Sequence, residues 1–221
     1  MQPKFFINFI SQLFFCQTIF GQVFSFTTQE NGQEIQHRIL MDDEYYVETQ
    51  FTTKPNQFIK TIGGFYHRKG NDLMVALEFN SNFSNDRIKD IVVNNQDRWK
   101  EISKTNLPLQ GKWLMAGRVN DNQERRRDTN RPRKTMKILL KGFFQWIAYN
   151  TESFSFHGTG GGSYTAKDGT YTETIDYFSR DNNKVGISLE FEYVKKGMDW
   201  HHQGFSSKGD PLHEIWTYRI P

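Results

Sequence analysis

Shifting the chain by 98 positions lays residues 43–82 over residues 141–180 without a gap. Whatever this sequence folds into must therefore hold one pattern twice. Thr53 matches Thr151, Phe58 matches Phe156 and Thr61 matches Thr159. Gly63 and Gly64 fall on Gly161 and Gly162, Tyr66 on Tyr164, and Lys69 on Lys167. Tyr45 and Tyr46 face Phe143 and Phe144, so aromatic character is kept where identity is not. Matches this dense around GG-x-Y make the chain a tandem of related units.

The copied glycines bear on chemistry. GTGGGS, from Gly158 to Ser163, looks at first like a loop that cradles a phosphate. Such a loop follows a strand and opens a helix whose N-terminus holds the anion. The residues that follow, SYTAKDGTYTETIDYF, alternate and carry a turn at Lys167-Asp168-Gly169, which predicts strand, turn and strand. Ser163 also stands where GxGxxG needs its last glycine. The glycines are expected to let a strand bend or two backbones approach closely.

The second unit reads as an antiparallel meander. GKWLMAGRV, TMKILL, FFQWIAYN, FSFHGTGGGSY, GTYTETIDYF, KVGISLEFEYV, DWHHQGFS and HEIWTYRI are eight candidate strands joined mostly by short loops. Val185, Ile187, Leu189, Phe191 and Tyr193 take one face of their strand; Gly186, Ser188, Glu190 and Glu192 take the other. Eight strands close around packed side chains or one small ligand. The first unit is less complete. Trp99 looks like the counterpart of Trp216, but the offset has grown to 117, by about the length of the GMDWHHQGFSSKGDP hairpin. The expected fold is all-β: a shortened barrel unit at 22–102, a linker at 103–110 and a complete antiparallel β-barrel at 111–221.

The N-terminus reads as a secretory signal. Lys4 precedes the apolar run FFINFISQLFFCQTIF, and Gly21 is small enough to precede a cleavage point before Gln22. Residues 1–21 are thus expected to be removed, and the chain to be exported: periplasmic, associated with the outer membrane, or secreted. Cys16 is the only cysteine and lies in this segment, and Phe15 before it is too large for a lipoprotein signal. The mature chain would carry no thiol chemistry. A formal charge of +3 argues against a dedicated nucleic-acid binder.

GTGGGSY, YTETIDYFSRD, WHHQGFSSKGDP and EIW together resemble a group of exported proteins of Bacteroidota described only as membrane or secreted proteins. GKW at Gly111 is similar to the GxW that opens the first strand of lipocalins. The resemblance covers most of the mature chain and implies a lipocalin-like barrel beyond the inner membrane. It implies no reaction.

Glu173 shares strand parity with Tyr171, Ile175 and Tyr177 and so points to the barrel interior. A carboxylate there needs a partner, with Arg219 a candidate from the closing strand. Two readings stand: a polar anchor for a ligand, or a structural Glu–Arg or Glu–Tyr bond. His201 and His202 are adjacent on a strand and face opposite ways, so they cannot easily share a metal ion. Lys208, in SSKGDP, is placed on a rim loop or a plain hairpin turn. Trp146 belongs to an aromatic set suited to stacking or to core packing. RRRDTNRPRK, from Arg125 to Lys134, reads as an exposed, mobile loop able to meet acidic partners. No catalytic residue, metal or cofactor is assigned. Glu173, Tyr171, Tyr177, Trp146, Arg219, His201, His202 and Lys208 are the candidate ligand contacts. The expected function is non-catalytic binding of a small apolar or amphipathic molecule. The alternatives are an enzyme using Glu173 with a WHH histidine as acid and base, and a cell-envelope interaction module with filled barrels.

Overall fold

The structure, a computed structural model, describes residues 21–220. The segment read as a signal peptide lies, except for Gly21, outside the described residues. Strands β1 (Gln22–Glu30), β2 (Gln33–Met41), β3 (Tyr45–Thr53), β4 (Asn56–Lys69), β5 (Asp72–Asn80), β6 (Asp90–Val93) and β7 (Lys100–Glu101) form one antiparallel sheet, ordered β6-β5-β4-β3-β2-β1-β7.

The rest of the chain makes a barrel. Its strands are β8 (Gly111–Asn120), β9 (Gln123–Arg126), β10 (Arg133–Leu140), β11 (Phe143–Asn150), β12 (Phe156–Lys167), β13 (Thr170–Phe178), β14 (Ser188–Lys196), β15 (Asp199–Phe205) and β16 (Pro211–Tyr218). From β10 to β16 each strand pairs with the next; β16 then pairs with β8, and β8 pairs back with β10. Eight strands thus close on themselves as an up-and-down antiparallel barrel, the architecture of lipocalins, while β9 only extends β8 as a hairpin. The turn expected at Asp168-Gly169 has positive φ at both residues, 50° and 83°, as a tight hairpin between twisted strands requires. The strand read from Lys184 begins only at Ser188, after a short 3-10 turn at Asn182–Lys184.

The two sheets are copies in register as well as in sequence. Shifted by 98, β5 coincides with β13 end to end, and the pairing irregularity between Gln50 and Phe51 recurs between Ala148 and Tyr149. In strand order, β7-β1-β2-β3-β4-β5-β6 corresponds to β16-β8-β10-β11-β12-β13-β14, so β15, alone among the eight barrel strands, lacks a counterpart, as does the β9 arm. Without a counterpart of β15 the first sheet cannot close.

A second shared irregularity explains the glycines. Pairing slips between Gly161 and Gly162 against β13, and between Gly63 and Gly64 against β5. Tyr177 lies opposite Gly161 and Ile175 opposite Gly162, leaving Asp176 as the extra residue of a bulge. A Cβ on Gly162 would lie 1.9 Å from the Thr174 carbonyl oxygen, and one on Gly64 1.9 Å from that of Ala76. Only glycine lets these backbones meet. The extra residue also reverses side-chain alternation. Glu173 and Ile175 face the lumen, as does Phe178 beyond the bulge. Tyr177 turns outward instead, toward Phe51 and Gln145. The parity expectation fails for Tyr177 because strict alternation assumes an unbroken strand.

That outward turn builds the contact between sheet and barrel. Val23, Leu40, Tyr45, Val47 and Phe79 pack against Met136, Ile138, Leu140, Ile147 and Tyr149 of the barrel wall. Phe51 meets Tyr177 at 4.9 Å between ring centroids, and Phe79 meets Tyr149 at 5.0 Å. Since Phe79 corresponds to Tyr177 and Phe51 to Tyr149, each contact is the exchanged form of the other. Phe58 stacks on its own counterpart Phe156. Such self-complementary contacts are those of an isologous two-fold interface. The bulge acids lock it: Glu78 takes two hydrogen bonds of 2.8 Å from Arg219, and Asp176 pairs with Arg38. Arg219 therefore does not meet Glu173: its backbone N–H still bonds the Lys112 carbonyl of β8, but its side chain turns to the outer face and the junction.

Candidate functional site

One end of the barrel is plugged. Leu107 and Leu109, from the stretch read as a linker, pack with Trp113, Tyr164, Tyr171 and Trp200, and Trp113 Nε1 donates to the Leu109 carbonyl at 2.8 Å. Above this plug lies a cavity of about 760 Å³ walled by Phe144, Trp146, Phe178, Phe191 and Trp216. Its size falls in the range of small-molecule sites, roughly 300–1,000 Å³.

The cavity has a polar floor. Lys137 Nζ, from β10, lies 2.6 Å from Glu173 Oε1, and Tyr171 donates to the same oxygen at 2.8 Å. The Lys137 ammonium also sits 5.0 Å from the Trp216 ring centroid and 5.4 Å from that of Tyr171, close enough for cation–π attraction. His202 is wedged between Phe191 and Trp200 and is 2% exposed. Among the described residues neither of its ring nitrogens has a hydrogen-bond partner; Glu214 Oε2 stands 3.6 Å from Nδ1, a charge neighbour at slightly more than hydrogen-bond distance. Burial, and then the charge of Lys137, push the His202 pKa below its ordinary value, so the ring is neutral near pH 7.

The first sheet supplies an internal control. Lys137 lies opposite Trp146 as Ile39 lies opposite Glu48, and Glu173 lies opposite Tyr164 as Val75 lies opposite Tyr66. Ile39 and Val75 are therefore the counterparts of Lys137 and Glu173, and both are buried. The same local fold forms with an apolar pair at these two places. A buried ion pair rarely outdoes well-packed apolar side chains in stability, so folding alone does not call for Lys137 and Glu173.

Glu173, Tyr171, Trp146 and His202 gather in or under this lumen. The other candidates do not. Tyr177 and Arg219 serve the junction, and His201 faces outward, 3.1 Å from His213. Lys208 stands exposed on the β15–β16 hairpin, away from the cavity wall, where Ser206, Ser207 and Asp210 contribute instead. The run from Arg125 to Lys134 is not all loop: Arg125 and Arg126 belong to β9, and Arg133 and Lys134 open β10. Sequence reasoning missed Lys137 and Glu214. A signal for Lys137 was there, since TMKILL is apolar on both faces except at this lysine. Also missed was a chain on the first sheet: His37 bonds Glu48 at 2.7 Å and Thr28 at 2.9 Å, and Tyr46 donates to Glu48 at 2.6 Å. Both ring nitrogens of His37 are satisfied, unlike those of His202.

No protein-family model and no curated protein sequence matches the chain. Among solved structures it is similar to a lipocalin-like protein from Bacteroides uniformis, at 16% identity and a TM-score of 0.35, over 50% of this chain and 98% of that one. The barrel assignment stands on strand pairing and does not draw on that likeness.

Proposed function

We propose that this chain is an exported, non-catalytic binding protein that holds one small apolar or amphipathic molecule in the barrel of its C-terminal unit. The observation that carries the reading is the floor of the cavity. A buried histidine whose two ring nitrogens make no hydrogen bond among the described residues, and an ion pair whose places hold apolar residues in the sister sheet, lie under an aromatic shaft. Buried polar groups are normally satisfied, and a ligand bearing a hydrogen-bonding group at its inner end would satisfy His202. The aromatic walls would supply most of the contact area. Export is supported by Lys4 and the apolar run before Gly21.

Protein purified without detergent from its own host should release one class of small molecule on denaturation, and should then take up N-phenyl-1-naphthylamine with quenching of Trp146 and Trp216. N-terminal sequencing should begin at Gln22. Absence of both a released molecule and dye uptake defeats the binding reading; a mature protein that keeps Met1 defeats export.

A further inference from the structure

The mouth of the shaft is strongly and unevenly charged. Arg118, Arg125, Arg127, Arg133 and Arg180 line it, and with Lys137 they set six cations against three carboxylates, Glu173, Asp210 and Glu214. Lys137 already neutralises Glu173, and Arg118 reaches Glu214 only at 3.4 Å. Arg125, Arg127, Arg133 and Arg180 pair with no carboxylate among the described residues. Their neighbour Arg126 behaves differently: it points outward and is paired with Glu124 at 2.8 Å and Asp199 at 2.6 Å. Acids are thus supplied to the outer arginine of this run and withheld from the inner ones.

The crowding is unfavourable as it stands. Arg118 lies directly opposite Arg125 across β8 and β9, and like charges placed so destabilise a sheet. Burial, then the charges of Arg133 and Arg118, lower the pKa of Arg127. His157 is lowered by burial and then by Arg133 and Arg180, so the positive field extends across the rim. The arrangement is also peculiar to the closed barrel. β1 and β2 are joined by a two-residue turn at Asn31 and Gly32, whereas the equivalent β8 and β10 are separated by the β9 arm that carries Arg125 and Arg127. Ile35 and Asn82 hold the places of Arg133 and Arg180.

Resting on the binding reading above, we infer that the ligand is an amphipathic anion, with a carboxylate or phosphate-type head held by the guanidinium cluster at the mouth and an apolar body in the aromatic shaft. Guanidinium groups present paired donors that match a carboxylate or phosphate edge. An anion seated among them removes the mutual repulsion at the rim. The inner end of the molecule remains free to carry the hydrogen-bonding group that suits the neutral His202, a contact that head-group probes leave aside.

The test compares dodecanoate, dodecan-1-ol and inorganic phosphate by calorimetry and tryptophan quenching at low and high salt. Dodecanoate should bind about tenfold or more tighter than dodecan-1-ol, the advantage shrinking with salt. Arg118→Gln/Arg125→Gln should weaken dodecanoate about tenfold and leave dodecan-1-ol within about twofold. The free double variant should remain folded and melt close to the wild type, since relief of the Arg118–Arg125 repulsion offsets the loss of the long 3.4 Å contact from Arg118 to Glu214. If the two long-chain probes bind alike and the double variant alters neither, the anion inference falls while the shaft reading survives. If phosphate binds as tightly as dodecanoate, the apolar body is not recognised and the inference falls too. If no long-chain probe binds and the neutral dye also stays out, the binding reading itself fails.

Discussion

Exchanging Lys137 and Glu173 for the residues that hold their places in the first sheet asks what the buried ion pair is for. The two side chains are 4% and 7% exposed and 2.6 Å apart. Glu173→Val alone strands the ammonium among aromatic rings and removes the acceptor of Tyr171. Lys137→Ile alone strands a carboxylate. Each should cost about 3–5 kcal/mol, the usual result of leaving one buried charge unpaired. The double variant K137I/E173V removes both charges and leaves only the Tyr171 hydroxyl unsatisfied, a penalty of about 1–3 kcal/mol. Adding Tyr171→Phe deletes that hydroxyl. The triple variant should be as stable as the wild type, or more stable by up to about 4 kcal/mol. Urea unfolding followed by far-ultraviolet circular dichroism gives all the required free energies. The triple variant should also no longer retain the molecule released from the native protein. Two results would show the opposite: a double variant no better than the worse single one, or a triple variant that loses about 3 kcal/mol or more. Either would make the pair a requirement of the fold.

Gly162→Ala should destabilise by about 3 kcal/mol, the upper part of the range for forced overpacking, because its Cβ meets a backbone oxygen at 1.9 Å. Gly32→Ala, with φ of +76° but open space around it, should cost only about 1–2 kcal/mol; equal losses in thermal melts would contradict the bulge explanation. Burial works against ionisation of Glu48, but hydrogen bonds from His37, Tyr46 and Gln50 outweigh it and hold its pKa at about 2. Its folded value lies below the unfolded one, so its stabilisation, about 3 kcal/mol, is present above pH 4.5 and is lost as pH falls through about 2. Glu48→Gln should flatten the acid limb of the stability curve, and an unchanged limb would be the contrary outcome. Because the His202 pKa is lowered in the folded protein, the unfolded chain binds the proton more readily, so stability falls as pH drops below about 6.5. His202→Gln should remove part of that slope between pH 5 and 7.5, and a slope that is unaltered would argue against a buried neutral ring.

Repetition and period, which are local properties, carried most of the architecture. The offset of 98 predicted two related sheets, the alternating runs predicted strands, and the missing WHH-hairpin length anticipated the absence of a β15 counterpart in the first sheet. Helix was excluded after Gly162 by the same pattern. The lumen position of Glu173 was legible for that reason, since a residue ahead of the bulge keeps its parity; for His201 and His202 the pattern gave only opposite faces, not which of them faces inward.

Where the chain breaks its own period, or where distant strands meet, the outcome depends on contacts that no local pattern records. Tyr177 changes face because Asp176 adds one residue to the ladder, and Asp176 then meets Arg38 across the junction. Arg219 finds Glu78, 141 positions away, and Lys137 finds Glu173 through barrel closure. The five arginines come from strands and loops scattered between Arg118 and Arg180, and only a closed ring of strands gathers them at one mouth. Periodicity assigns a side chain to a face. Which charges share that face across strands depends on registers, bulges and closure, all of which are set by pairing between segments far apart in the chain.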